Sequence, residues 1–443
     1  EIYLAVPASF DAAARTLTVR AAEAAGLAGA RLIEEPQAAF YAWIATTRGG
    51  WRRAVRVGDV VLVCDVGGGT TDLTLVAVGE EHGSLTLERR AVGDHILLGG
   101  DNMDLALAHA LRERLRAEGR ALDAWQMRQL VLACQAAKER LLGEQPPESI
   151  TVAIAGRGSQ LVGGSIGVPL SRDEAERILI EGFLPHCEPD ARPQRRARAA
   201  LTELGLPYAS DPAITRQLAA FLARHAEATG ARELARPTAI LFNGGVWRSA
   251  RLRERLLEVV GQWMKRLGAP TPRVLHGADL DLGCARGAAA YAAFRLRRGV
   301  RIRGGTARAF YVGVEAAVPA VPGLPPPVRA HCIAPFGMEE GSSAPPLPLE
   351  LGLVVGEPVQ FRFFSSSVRR DDVVGDVVER VEELDELPPI EATVPTEAGA
   401  EGDVVPVRLV ASVTEVGVLR VEAVSRDGAH RHRVELDARE GRS

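Results

Sequence analysis

The octet Asp65-Val66-Gly67-Gly68-Gly69-Thr70-Thr71-Asp72 concentrates the residue types that handle phosphate. An apolar run leads into an acidic residue, three glycines reverse the chain, and a second apolar run returns. Glycines let backbone N–H groups approach and wrap an anion, because no Cβ obstructs them and positive φ is open to them. Thr70 adds a hydroxyl donor, and Asp65 can reach Mg2+ or orient water through it. The pattern is not a P-loop, since no Gly-Lys-Ser/Thr follows and the loop leads to a strand rather than a helix. On the octet alone, a phosphate cradle and a ligand-free glycine hairpin are both open readings.

Three further motifs bear on that choice. Leu98-Gly99-Gly100-Asp101-Asn102 stands before a predicted helix, where by itself it reads as a sharp entry with an acidic cap. Phe242-Asn243-Gly244-Gly245-Val246-Trp247-Arg248 follows a predicted strand, Ala239 to Phe242, and precedes another helix. A diglycine there sets free N–H groups and a helix N-terminus where an anionic ligand can sit, although in isolation it is a plain strand–helix turn. Asp281 precedes the small-residue run Gly287-Ala288-Ala289-Ala290, which alone reads as close helix packing. Composition adds a quieter signal. Of 53 basic residues only Lys138 and Lys265 are lysines, and Asn102 and Asn243 are the only asparagines. Such bias reflects the source genome, but a position that keeps Lys or Asn against it is a better candidate for needing that side chain.

These motifs must be positioned by regular elements. The first 300 residues or so alternate short apolar runs with helical periodicity, the signature of an α/β protein. Strands are expected at Ile2 to Val6, Ala30 to Ile33, Val60 to Cys64 and Leu73 to Val78. Helices are expected from Asp11 to about Gly26, from Pro36 to about Thr46, and over Asp104 to Ala117, Ala124 to Leu142 and Ala250 to Leu267. Residues 185–235 read as an Arg- and Ala-rich helical insertion. Beyond Arg303 the helical pattern stops, and short strands such as Ala309 to Val314, Val359 to Phe364, Val404 to Val413 and Val418 to Ala423 alternate with Pro- and Gly-rich turns, which suggests a β-sandwich. A chain of 443 residues with 47% hydrophobic and 25% charged content is long enough for two to four globular domains. No apolar run reaches the ~20 residues of a membrane helix. A net charge of -4 argues against nucleic acid as the main partner. The five cysteines, Cys64, Cys134, Cys187, Cys284 and Cys332, are far apart, carry no metal spacing and fit a reduced, cytoplasmic protein.

Taken in order, the motifs resemble the 70-kDa heat-shock (Hsp70, DnaK-like) chaperone family. Val6-Pro7-Ala8-Ser9-Phe10, Ile33-Glu34-Glu35-Pro36-Gln37-Ala38-Ala39, the Asp65 octet, Gly99-Gly100-Asp101, Gly244-Gly245 with Arg248, and Asp281 through Ala289 all match. The resemblance covers residues 1–297 apart from the insertion and continues more weakly through the tail. It implies a partial actin-like (ribonuclease H-like) nucleotide-binding domain over 1–297, a linker at 298–305 and a β-sandwich peptide-binding-like domain over 306–443. It further implies ATP or ADP with Mg2+ as cofactors, and unfolded or extended peptide segments and co-chaperones as partners, with neither nucleic acid nor membrane. Asp65 resembles the carboxylate near Mg2+ and the attacking water, and Glu35 the acid that helps hold the metal's water shell. Thr70 resembles the γ-phosphate contact of a hairpin whose cradle is Gly67, Gly68, Gly69, Thr70 and Thr71. Lys138 matches the lysine of the adenosine-binding helix. Gly244, Gly245 and Arg248 match the adenosine-side loop, with Asp281 a second nucleoside contact. Pro7 resembles the proline that reports nucleotide state to the other domain.

The departures also carry expectations. Gln135, Glu139 and Leu142 around Lys138 differ from the family's usual acid, Arg and hydroxyl, so altered nucleoside binding is expected. The sequence as written opens after the family's first phosphate hairpin, so ATP hydrolysis is expected of a longer parent and not of residues 1–443. The joint alternates Arg298, Arg301 and Arg303 with Gly, Val and Ile, so it can pair at a sheet edge with little apolar burial. Phe361, Phe363 and Phe364 with Ser365-Ser366-Ser367 fall where a strand and loop shape the peptide groove, or else are sandwich core. Rival readings are an actin-fold small-molecule kinase, an assembly scaffold, and a pseudo-ATPase without chaperone activity.

Overall fold

In the computed structural model the described residues are 2–7, 10, 12–81, 84–94, 96–156, 164–194, 209–277, 279–296, 302–303, 306, 308–315, 326–338, 342–356, 358–387, 390–393, 403–413, 419–426 and 431–436. The chain opens with β1 (Tyr3–Val6), α1 (Ala12–Ala24), β2 (Arg31–Glu34), α2 (Glu35–Thr46) and a single turn α3 (Trp51–Ala54). Then come β3 (Val60–Val66), β4 (Thr71–Glu81), β5 (Ser84–Val92), α4 (Gly100–Ala117) and α5 (Ala124–Leu141). A hairpin of β6 (Ser149–Ala155) and β7 (Ser165–Ser171) precedes α6 (Arg172–Phe183) and α7 (Ile214–Arg224). The α/β part ends with β8 (Ala239–Asn243), α8 (Ala250–Arg266), β9 (Arg273–Val274) and α9 (Gly283–Leu296). The expected strands and helices are thus present, with ends shifted by a few residues. The expected cap at Asp11 and the motif residues Ala8 and Ser9 lie outside the described residues.

The chain divides into two units, one of residues 35–86 and 91–297, the other of 1–34, 87–90 and 298–443. The first is built on β3. This strand pairs antiparallel with β4 through the glycine hairpin and parallel with β8, which pairs parallel with β9. Val61, Leu62, Val63 and Cys64 are all fully buried, which is why β3 reads as an unbroken apolar run rather than an alternating one. Two helices of small residues pack closely: a Cβ built on Gly287 of α9 would lie 1.7 Å from the Ala38 carbonyl oxygen of α2. Of the expected helical insertion at 185–235, residues 195–208 lie outside the described residues. Its described helix is confined to α7, whose Ile214, Leu218, Ala219 and Leu222 join the same core as Leu62 and Leu75. Asp211 organises the approach to α7, accepting from the backbone N–H of Gln194 at 2.7 Å and of Ala213 at 3.0 Å, and from two Arg216 nitrogens at 2.7 Å. Pro and Asp shape the described part of this stretch.

In the second unit β1 and β2 are parallel neighbours, with α1 as their crossover. Glu34, at the end of β2, is 2% exposed and accepts from Arg15 at 3.1 Å on one oxygen and from Arg89 on the other. The remaining elements are all strands: β10 (Ile302–Arg303), β11 (Ala309–Glu315), β12 (Val328–Ala334), β13 (Leu351–Val354), β14 (Pro358–Phe361), β15 (Phe363–Ser366), β16 (Val377–Val378), β17 (Asp385–Glu386), β18 (Ile390–Thr393), β19 (Val404–Val413), β20 (Leu419–Ser425) and β21 (Arg431–Leu436). They form sheets of order β16-β12-β11-β15-β17 and β13-β19-β20-β21, plus the pair β14-β18. Both larger sheets contribute to one apolar cluster, with Phe310, Val312 and Phe363 from the first and Val407, Leu409 and Val421 from the second. At the joint, Ile302 and Arg303 pair parallel with Leu87 and Glu88; residues 298–301 and 304–305 are outside the described set.

One expected strand is two. Val359 to Phe364 breaks at Arg362, so that Phe361 pairs with β18 whereas Phe363 and Phe364 pair with β11. Phe363 and Phe364 then face opposite sides of their sheet, each 1% exposed and each in a separate apolar cluster, and Ser365 and Ser366 are buried. These two aromatics are core and line no open groove. Val418, the first residue of the expected strand Val418 to Ala423, lies outside the described residues.

This packing sets three stability outcomes. Gly287→Ala should destabilise by at least the roughly 1–3 kcal/mol typical of overpacking, because the obstacle is backbone. Gly182→Ala in α6, where an added Cβ meets nothing within 4 Å, should be neutral or slightly stabilising. Glu34→Gln should cost about 3–5 kcal/mol by removing a buried carboxylate charge from its pairs with Arg15 and Arg89. Urea denaturation measures all three; an unperturbed midpoint for Gly287→Ala or Glu34→Gln contradicts the respective packing.

Candidate functional site

The glycine hairpin owes its shape to a second loop. Gly67 N–H donates to the Thr70 carbonyl at 3.0 Å and closes the turn. From the loop before α4, Gly100 N–H donates to the Gly67 carbonyl at 3.0 Å and Asp101 N–H to the Gly68 carbonyl at 2.8 Å. Thr71 returns a hydroxyl bond to the Leu98 carbonyl at 2.8 Å. The loops are so close that a Cβ on Gly99 would stand 2.5 Å from the Gly68 oxygen. Asn102 holds the Gly99 N–H on its side-chain oxygen at 2.9 Å. With the hairpin carbonyls committed to this weld, the backbone N–H groups of Gly68, Gly69 and Thr70 have no partner among the described residues. Gly68 and Gly69 are exposed and Thr70 is half-exposed, so these donors face solvent. That is the disposition an anion cradle requires.

Behind the hairpin lies a buried acidic cluster. Asp65 ends β3 opposite Asp72 of β4 and beside Asn243 of β8. Asp65 is 6% exposed and Asp72 3%. Asn243 Nδ2 donates to Asp65 Oδ2 at 2.7 Å and lies 3.3 Å from Cys284 Sγ. Burial pushes the Asp65 carboxyl up to about 7, with Asp72 adding to the rise and the Asn243 bond opposing it. Glu35, the first residue of α2, is also pushed up to about 7, by burial and then by the charges of Asp65 and Asp72. Burial beside Asp65 and Glu35 raises the Cys284 thiol to about 12, so it stays a neutral thiol. Among the described residues no three His, Cys, Asp or Glu converge closely enough to ligate a metal ion directly.

The nucleoside-side residues gather around a cavity of about 660 Å3, lined among others by Met103, Lys138, Leu142, Gly245, Arg248 and Asp281. Lys138 reaches in from α5, pairing with Asp104 Oδ1 at 2.7 Å and donating to the Gly100 carbonyl at 3.0 Å. It therefore also ties the cavity wall to the loop that holds the hairpin. Arg248 and Asp281 form an ion pair across the lining, each about half exposed. Glu139 and Leu142 also line the cavity, whereas Gln135 is exposed on the outside of α5. Asp65, Glu35, Thr70, Thr71, Gly67, Gly68, Gly69, Lys138, Gly244, Gly245, Arg248 and Asp281 thus all fall in one unit. Pro7 ends β1 in the other unit, where its carbonyl accepts from Phe10 N–H at 3.1 Å. Sequence reasoning assigned no role to Asp72, Asn102, Asp104, Asn243 or Cys284. The rarity of asparagine was the one signal that singled out two of them.

The family described as "Hsp70 protein" matches residues 1–183. Residues 1–183 are therefore similar to the Hsp70 family. The chain is similar to the chaperone protein DnaK of one strain of Thermus thermophilus, 34% identical over 141 residues. The DnaK of a second strain of that organism is similar to the same degree. The matched stretch makes up 31% of this chain and only 21% of either relative. Members of the Hsp70 family bind ATP and ADP with Mg2+ in general. Among the described residues no helix is long and apolar enough to cross a membrane.

The carboxyl cluster predicts a pH dependence. Between the ordinary carboxylate range near ~4 and about 7, the folded chain holds protons on Glu35 and Asp65 that the unfolded chain has released. Their contribution to stability is therefore full below that window and is lost as pH rises through it. Asp65→Asn and Glu35→Gln should melt close to the parent at pH 5 and gain on it by several degrees at pH 8, since ~1 kcal/mol moves the midpoint of such a unit by about 2–4 °C. Calorimetric melting across that range is the check; a pH-independent difference contradicts the assignment.

Proposed function

We propose that this chain acts in an ATP-dependent chaperone of the Hsp70 type, with residues 1–297 as a partial actin-like nucleotide-binding domain, 298–305 as linker and 306–443 as a β-sandwich that grips extended apolar peptide segments. The observation that carries the nucleotide reading is the continuity within one unit between the solvent-facing hairpin donors, the buried Asp65 behind them, and the 660 Å3 cavity beside them. A nucleoside occupies the cavity in this reading, and its phosphates reach Gly68, Gly69, Thr70 and the hydroxyl of Thr70. Mg2+ neutralises phosphate charge when bound. Asp65 and Glu35 hold its water rather than the ion itself, in keeping with their spacing, and their raised carboxyls are the natural response of buried acids awaiting a cation.

The chain's own residues divide the work. Asp65 orients water at the end of a rigid buried strand. Lys138, already bound to Asp104 and the Gly100 carbonyl, has one N–H left to offer a ribose hydroxyl. Opening of the exposed Arg248–Asp281 pair frees a guanidinium face for a base and a carboxylate for the nucleoside. Glu139 and Leu142 in place of Arg and a hydroxyl alter the base end, so the affinity sits below that of the family's usual pocket. On the peptide side, the strand edges of the two packed sheets are the means of gripping an extended segment by backbone pairing. Pro7 and the β10 joint are the elements through which nucleotide state reaches that grip, and co-chaperones are the expected further partners. The reduced cysteines agree with a cytoplasmic setting.

Two substitutions separate chemistry from binding. On the whole protein, Asp65→Asn should lower single-turnover ATP hydrolysis by a hundredfold or more with nucleotide affinity changed only slightly. Lys138→Ala should weaken nucleotide binding about tenfold, with a smaller effect on the bound-state rate. Quenched-flow hydrolysis and titration calorimetry measure the two. Unchanged hydrolysis in Asp65→Asn would remove this carboxylate from the mechanism.

A further inference from the structure

We infer that Asn243 is a positioning residue for the Asp65 carboxylate, retained for its amide donor at a cost to the stability of the core. The inference rests on the reading of Asp65 as the carboxylate that holds the cation's water.

Asn243 and Asp65 are register partners at the carboxyl ends of two adjacent parallel strands, β8 and β3. Crevices at such strand ends are where ligands of parallel sheets bind. Asn243 is 3% exposed, and neither of its side-chain bonds goes to backbone. Nδ2 donates to Asp65 Oδ2 at 2.7 Å, a bond strengthened by the carboxylate charge, and its other hydrogen faces Cys284 Sγ at 3.3 Å. The Cys284 thiol in turn approaches the Glu35 carbonyl at 3.9 Å. The opposite orientation of the amide would set Oδ1 against a carboxylate oxygen, so the network itself fixes which atom is nitrogen.

The other end of the amide is what distinguishes this residue from a structural asparagine. Its Oδ1 is buried without a hydrogen-bond partner. A buried acceptor left unmade is destabilising, and an apolar side chain of the same shape avoids the penalty. A Cβ on Gly283 would stand 2.5 Å from that oxygen, so the wall of α9 is drawn in close around it. Packing alone is therefore better served by leucine, which has the branching and length of asparagine. What leucine lacks is the donor to Asp65. That donor pins Oδ2, while Oδ1 of Asp65 lies against Gly244, where a Cβ would stand 2.8 Å from it. In a chain with only two asparagines, the other, Asn102, likewise supplies a bond to the hairpin's supporting loop.

Asn243→Leu and Asn243→Asp test this on the whole protein, each nearly isosteric with the parent. The probes are Mn2+ with ADP followed by electron paramagnetic resonance, metal-free ADP by calorimetry, single-turnover hydrolysis, and thermal melting. The expected result for Asn243→Leu is a melting point within a few degrees of the parent's, the relief at Asn243 Oδ1 being set against the donor lost to Asp65 Oδ2, with metal-free ADP affinity within twofold, Mn2+ affinity in the ADP complex weakened at least fivefold, and hydrolysis slowed at least tenfold. Asn243→Asp sets two carboxylates against each other and should show the same functional losses, which keeps the test available if the leucine variant does not fold. Asp65→Asn serves as the reference. If Asp65→Asn impairs Mn2+ binding or hydrolysis and both Asn243 variants match the parent, the positioning role is wrong. If the Asn243 variants lose ADP affinity and melting temperature together, the residue is structural and the inference is overturned. If Asp65→Asn itself changes neither readout, the reading of Asp65 fails, and this inference with it.

Discussion

A carboxylate at the buried end of a strand is an unfavourable object, and much of the α/β unit is arranged around one. Asp65 closes an apolar run whose residues are fully shielded from water, Asp72 stands close enough to oppose its ionisation, and the two together oppose that of Glu35. Desolvation and like charge act in the same direction, and the neutral amide of Asn243 is the side-chain counterweight. The sheet cannot relieve the tension by letting water in without opening its own core. The glycine hairpin, by contrast, turns its donors outward. A positive potential from N–H dipoles in front and a carboxylate behind make a pair of opposite poles that a phosphate with its cation satisfies together. Neither pole is fully satisfied by the protein alone.

The hairpin would be a poor cradle if it were free to collapse on its own carbonyls. It is prevented from doing so by the loop before α4, which occupies those carbonyls through Gly100 and Asp101, and by the absence of a Cβ on Gly99 that would push the two apart. Lys138 extends the same chain of contacts to α5 by holding the Gly100 carbonyl. The cavity beside α5 and the glycine hairpin therefore share a wall. A displacement at one is felt at the other through two or three hydrogen bonds rather than through the whole domain.

Much of this was legible in the residues. The glycine octet, the second diglycine and Asp281 could be placed correctly on strand ends and helix starts, because turn chemistry is local and leaves its mark in residue type. The strand β3 was legible as a continuous apolar run. The compositional rarity of Lys and Asn marked Lys138, Asn102 and Asn243, all three of which turn out to tie the hairpin or its acid in place. What could not be read were the pairings across long separations: Glu34 with Arg15 and Arg89, Lys138 with Asp104, Asn243 with Asp65. Such contacts depend on sheet order, which periodicity does not encode. In the described part of 185–235, Asp211 organises the approach to α7 through contacts that residue type alone does not announce. Arg362 interrupts an apolar alternation that otherwise looks unbroken, and only the sheet assignments reveal the two strands on either side of it.

The joint holds to β5 by a strand of only two residues, Ile302 and Arg303, alongside Leu87 and Glu88. Short as it is, that strand caps a sheet margin. An uncapped margin offers a row of unsatisfied amides to any extended chain, including another copy of the same protein. Conditions that peel the joint away, such as shear, mild denaturant or proteolytic nicking, should therefore reveal themselves first as a change in colloidal behaviour, with filament-like or turbid association setting in before the core has melted.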